Sequence, residues 1–157
     1  MIGSDISIYE SGLGGEIALT VNDVDMTDSL YNQVYLAWFG GNIKESHVDA
    51  ESGSGEENLS YWQNDLLLDD ESNKMISGTE IALSNVSFTS QGLYELLNIA
   101  KHDLEFLKDL GEVEVKIEVV TTNLIKLVVD IKSNFDDKNY IYKFIWDSTV
   151  KELIKNI

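Results

Sequence analysis

Carboxylates are the reactive groups this chain holds in quantity: 28 aspartates and glutamates stand against 11 lysines, with no arginine and no cysteine. Without cysteine there is no thiolate nucleophile, no disulfide and no Cys-ligated metal. Paired carboxylates can do general acid–base hydrolysis, but that chemistry needs a pair set apart by spacing or surroundings, and none is marked here. The acids of Asn22-Asp23-Val24-Asp25-Met26-Thr27-Asp28 alternate as in a calcium loop. The required glycine and closing glutamate are missing, since Ser29 and Val34 stand near those positions. The segment reads instead as an acid-rich helix start, capped by Thr27 or Asp25. Asp69-Asp70-Glu71 suits a solvated turn, with a hard-cation site as its alternative. Ser11-Gly12-Leu13-Gly14-Gly15 has glycines for a phosphate loop, yet no Lys-Ser/Thr pair closes it and no helix start follows. His47 has no second histidine nearby to complete a metal site, and His102 reads as a solvated residue on the polar side of its helix. These residues assign no catalytic group, no cofactor and no metal.

The net charge of −17 bears on partners. Phosphate affinity comes from clustered Lys and Arg, so direct nucleic-acid binding is not expected. The missing arginines also remove the usual bidentate clamp for phosphate or carboxylate. Acidity serves solubility in any case, and as a functional feature it points to a partner carrying positive charge. No apolar run approaches the roughly 20 residues of a membrane helix, and MIGSDISIYE has neither the basic nor the apolar region of a secretory signal.

The elements that must position these residues follow from periodicity. Leu93, Leu96, Leu97, Ala100, Leu104 and Leu107 recur at three and four, the spacing of one helix face. Ile99, Phe106 and Leu110 widen that stripe. Thr89 or Ser90 suits the start of this long helix, and Gly111 stands where a left-handed C-cap belongs. The period then changes to two. Three strands are expected at 112–121, 124–132 and 140–147, with Thr122-Asn123 and Asp136-Asp137-Lys138-Asn139 as the turns. Ile125, Leu127, Val129 and Ile131 share one face of the second strand; Tyr140, Tyr142, Phe144 and Trp146 share one face of the third.

Upstream, 5–10 and 16–21 alternate as the strands of a β-hairpin. A helix is expected from Asp28 to Phe39, with Leu30, Val34, Ala37 and Trp38 on one stripe, Tyr31, Tyr35 and Phe39 beside it, and Gly40-Gly41-Asn42 ending it. Residues 44–60 have the composition of a mobile surface loop rather than a domain linker. Met75 to Leu83 fits either helix or strand. Val150, Leu153, Ile154 and Ile157 suit a short final helix. The expectation is one α+β domain spanning 1–157: N-terminal β-hairpin, helix, long amphipathic helix, three-stranded antiparallel meander and short C-terminal helix.

The order of these features resembles the small Mu-like phage tail proteins of the baseplate, a family related to the small wedge component of T4-type baseplates. Asp5-Ile6 and Gly15-Glu16-Ile17 answer the family's opening strands, and Thr27-Asp28-Ser29-Leu30 leading to Ala37-Trp38-Phe39-Gly40 answers its first helix. Ser60-Tyr61-Trp62-Gln63-Asn64-Asp65 corresponds to a Gly-Trp-Trp-Gly-Asp signature. Ile76-Ser77-Gly78, Gly111 and Phe144-Ile145-Trp146 complete the pattern. One departure is the basic pair that commonly follows the family's first helix. Gly41-Asn42 and Lys44 stand there instead, so contacts made by those arginines do not carry over.

The resemblance implies a structural, non-enzymatic wedge subunit of a contractile tail or related injection machine. It would assemble in the host cytoplasm, join a larger wedge subunit and a spike or hub, and touch the tail sheath. Some relatives have been described as lysozyme-like, but no glutamate here is marked as catalytic. The alternative is an acidic inhibitor or immunity-type binder of a basic partner, a DNA mimic among them. A mimic needs its acids in a surface stripe, whereas a wedge needs apolar and aromatic contact patches. Trp38, Phe39, Tyr61 and Trp62 are the candidate aromatic cluster, with Asp65 beside them as a candidate interface residue. Glu112, Glu114 and Glu118 are the candidate interface acids, on a strand expected at the rim of the meander, where they would discourage self-pairing and favour a basic arm.

Overall fold

In a computed structural model, which describes residues 2–10, 15–21, 23–40 and 77–156, the chain is α+β. The elements run β1 (Ser4–Ile6), β2 (Ile8–Glu10), β3 (Gly15–Ile17), β4 (Met26–Asp28) and α1 (Ser29–Phe39). Then come α2 (Gly78–Asn85), α3 (Ser90–Asp103), a 3-10 turn (Glu105–Asp109), β5 (Gly111–Val119), β6 (Leu124–Ser133), β7 (Asn139–Asp147) and β8 (Glu152–Asn156). The segment 44–60, Tyr61, Trp62 and Asp65 lie outside the described residues, as does the Asp69-Asp70-Glu71 triplet.

The last four strands form one antiparallel sheet in the order β5-β6-β7-β8. In β6 the alternation predicted from sequence is met in full: Ile125, Leu127, Val129 and Ile131 are buried while their neighbours are not. A half-buried antiparallel sheet requires this pattern, and a one-residue slip would turn the whole apolar set to solvent. Over the buried face lie α1, through Leu30, Val34, Tyr35, Trp38 and Phe39, and α3, through Leu96 and Ala100. This is a helix layer on a sheet layer sharing one core.

The helices begin where short polar side chains can take their first free amides. For α1 the cap is Asp28, not Thr27 or Asp25: its Oδ1 accepts the Tyr31 amide at 3.0 Å. The same carboxylate accepts the Tyr142 hydroxyl, which anchors the helix start to β7. Burial, and then that hydrogen bond, push the Tyr142 phenol well above its ordinary range. Ser77 caps α2 and donates its hydroxyl to the Trp38 carbonyl. Asp103, at the far end of α3, accepts the Thr79 amide and hydroxyl at 2.7 Å each. One carboxylate therefore ties the start of α2 to the end of α3.

Four local expectations are corrected. The long helix stops at Asp103, and the chain tightens into the 3-10 turn. Leu104 and Leu107 stay buried while Phe106, assigned to the apolar stripe, is exposed, because a residue two positions from Leu104 lies on the far side in either kind of helix. Gly111 is no left-handed cap; it opens β5, and a Cβ there would lie 2.1 Å from the Lys132 carbonyl oxygen. The final helix is instead a turn followed by β8, antiparallel to β7, with Leu153 facing the core and Ile154 exposed. Lys151 takes a left-handed φ of 58° to make that reversal. The spacing of Leu153 and Ile154 suits either structure locally, and β8 satisfies the edge of β7 that a helix would leave unpaired.

At the N-terminus the hairpin exists as β2–β3, but β1 pairs with β4 rather than with 16–21. Three strand pairs meet in a cyclic trio of backbone bonds: Ser7 N–H to Asp25 O, Asp25 N–H to Ala18 O, and Ala18 N–H to Ser7 O, each 2.9 Å. The third arm is the 18–25 reversal, closed by the Leu19–Val24 bridge. Three strand ends here satisfy one another without a continuous sheet.

Candidate interaction site

Rings gather where α1 crosses β7. Residues three and four apart on α1 share a side of the helix, and alternate residues on β7 share a face of the sheet, so the two aromatic series meet. Trp38 lies edge-on to Phe144 with centroids 5.6 Å apart, and Phe39 lies 5.4 Å from Phe144 and stacks on Trp146 at 6.2 Å. Tyr31 stacks on Phe144 at 6.0 Å. Trp38 is wholly buried, and its indole N–H donates to the Ala100 carbonyl at 3.0 Å. Trp38 and Phe39 thus serve the core, with partners on β7. The aromatic alternation of 140–146 was legible in the sequence, but its pairing with α1 was not, because nothing local says which helix covers which strand.

The acids fall as their parity dictates. Glu112, Glu114 and Glu118 are exposed on the sheet face away from the helices. β5 is an edge strand, paired with β6 alone among the described residues. Two of the three acids already have a counter-charge within the sheet. Glu114 meets Lys116 at 3.2 Å, and Glu118 meets Lys126, its register partner on β6, at 2.5 Å. The Lys126 ammonium, by its hydrogen bond and then its charge, holds the Glu118 carboxyl below the usual glutamate value. Glu112 alone of the three has no ion pair among the described residues. The signal was in the sequence, since a turn centred near Thr122 places residue 126 opposite residue 118.

A pH dependence follows. A carboxyl whose folded pKa is depressed adds stability above its unfolded value and loses it as pH falls through the folded pKa. NMR titration of Glu118 is expected to give a midpoint below the ordinary value of about 4.3, and Lys126→Met to raise it. An unchanged midpoint in that variant would refute the assignment. Both side chains reach solvent, so the effect on melting should be small.

Two surface grooves flank α3. One, of about 350 Å³, runs between α3, the 3-10 turn and β5, and includes Lys101, His102, Glu105 and Lys108. Glu105 is bracketed by Lys108 at 2.6 Å and His102 at 3.4 Å. The hydrogen bond from Lys108, foremost, holds the Glu105 carboxyl low, which suits an ion pair and not a general acid at neutral pH. The other groove, of about 400 Å³ between α2 and α3, has Glu95 as its single acidic group. Among the described residues no cluster of His, Asp and Glu could hold a metal ion, and no helix is long and apolar enough to cross a membrane. No family model, curated protein or solved structure matches this chain.

Proposed function

We propose that this chain is a structural, non-enzymatic baseplate subunit of the wedge type, from a contractile phage tail or a related injection machine. It would be assembled in the host cytoplasm and held in the virion tail among other baseplate proteins and the sheath. The observation that carries the reading is the asymmetry of the sheet's two edges. The opposite edge is β8, only five residues long, with β2 lying close to it without pairing. β5, nine residues long, keeps an outer side with no strand partner among the described residues. A long edge is a place for an extended segment of another protein to add as a strand, with backbone hydrogen bonds giving affinity and alternate side chains setting register.

The charges on β5 select what can add there. Two copies pairing antiparallel about Val115 would set Glu112 against Glu118 of the other copy, a like-charge opposition, but also Glu114 against Lys116, an attractive one, so charge does not reward self-pairing in that register. An arm carrying lysine or arginine opposite Glu112 meets the one acid of the three that forms no ion pair among the described residues, its register partner Lys132 included. The acidic-inhibitor alternative draws on the net charge of −17. The pairing of Glu114 and Glu118 with lysines interrupts the acid stripe that a nucleic-acid mimic would need along this strand.

Hydrogen exchange tests the proposal. Amides of 112–119 that face outward are expected to exchange quickly in the free subunit and to become protected in particles containing baseplate and sheath. Amides of β7, internal in both states, serve as the control. Equal protection of β5 in the two states would refute strand addition at this edge.

A further inference from the structure

We propose that the N-terminal β-arm, through its described residues 4–10, 15–21 and 23–28, is a second docking surface, fitted to a protein partner that presents an apolar patch bordered by lysine or arginine. Single exposed apolar residues are ordinary on any surface, but here they are concentrated. Ile6 and Met26 face each other as register partners of β1 and β4, and both are exposed. Ile17, Leu19 and Val21 occupy alternate positions of the segment leading out of the three-way junction, with Leu19 75% and Val21 97% exposed. The arm does not need them for its own shape. Its geometry is set by the backbone trio at Ser7, Ala18 and Asp25, and among its described residues Ile8 packs against the core, with Ile2 just ahead of it. An apolar concentration that neither builds the arm nor enters the core has the character of a contact surface.

Charge selects the occupant. Asp5, Glu16, Asp23 and Asp25 are exposed in this region, and the first lysine of the chain is Lys44. Asp5, Asp23 and Asp25 each accept the amide of the following residue, which steadies the carboxylate against the backbone without cancelling its charge. A second copy docked face to face would oppose two uniformly acidic arms. An anionic lipid surface or a nucleic acid would be repelled as well. A protein patch with an apolar centre and a basic rim satisfies both features, the centre supplying affinity and the rim orientation and encounter rate. This surface is separate from the β5 edge and does not depend on the baseplate reading.

The test uses the full isotope-labelled chain and a peptide of about ten residues alternating leucine and lysine, with a leucine–glutamate peptide as control. The Leu–Lys peptide should shift amides of 4–28 and bind more weakly as salt rises. Leu19→Ser/Val21→Ser should weaken it by about tenfold or more with an unchanged melting temperature, as expected for exposed contact residues. Met26→Ser supplies an independent variant should the pair disturb folding. Glu112→Gln/Glu118→Gln should leave affinity unchanged, which separates this surface from the β5 edge. Absent binding, shifts mapping to β5 or elsewhere, or full affinity in the serine variants would overturn the proposal. So would self-association of the free chain, or binding to phosphatidylcholine vesicles, that the serine variants abolish.

Discussion

Trp38→Ala is expected to destabilise the chain by about 3–5 kcal/mol, the range for removing a large aromatic from a packed core. Trp38 has no exposed surface and sits against both Phe39 and Phe144. Its removal leaves a cavity at the centre of the α1–sheet interface. The surrounding rings are held from both sides, by the helix turn and by β7, so the site cannot collapse easily. The substitution also deletes the indole N–H that reaches the Ala100 carbonyl and so couples α1 to α3. Trp38→Phe separates the two effects: it keeps most of the apolar contact and loses the hydrogen bond, for which about 0.5–1.5 kcal/mol is the ordinary contribution. Urea denaturation followed by far-UV circular dichroism would measure both. A midpoint shift near zero for Trp38→Ala would mean that the ring is not in the core and that the α1–β7 packing is wrong.

Gly111→Ala is the second large effect, and it acts through backbone. A methyl group at Gly111 would lie 2.1 Å from the Lys132 carbonyl oxygen and 3.1 Å from the Ser133 Cα. Lys132 pairs with Asn139 on its other side, so β6 cannot retreat without disturbing β7. Overpacking against a fixed element costs about 1–3 kcal/mol and sometimes more. The alternative response is unpairing of the first residues of β5, which would also free the Leu110 carbonyl from the Asn134 amide. Either outcome is visible in amide spectra: loss of stability with the register intact, or selective loss of protection at the 111–133 end. An alanine variant as stable as the parent, with both strand ends protected, would contradict this close approach.

How much of this was written in the chain can be judged from particular residues. The α3 and β6 periodicities were readable because each element's exposure pattern follows its own geometry: Leu96 and Ala100 fall on one helix face, and Ile125 to Ile131 on one strand face. The place of Glu112, Glu114 and Glu118 on the solvent face followed from the same parity, and the lysine partner of Glu118 follows once the turn at 120–123 sets the register. What local pattern could not settle was competition between elements for one another's edges and faces. Val150 to Ile157 has a spacing suited to a helix, yet residues 152–156 pair with β7, because the open edge is satisfied only by a strand. Phe106 was counted with the apolar stripe, yet two positions from buried Leu104 it lies on the far side of the turn and is exposed. Ser7, Ala18 and Asp25 carry no joint sequence signal for their three-way junction, since the backbone groups that close it are common to every residue. Trp38 was recognisable as a large apolar anchor, but its rings of contact, Phe39 beside it and Phe144 more than a hundred positions away, were chosen by the packing of one layer on another. Periodicity assigns each element its inner face; only the assembled core decides which inner faces meet.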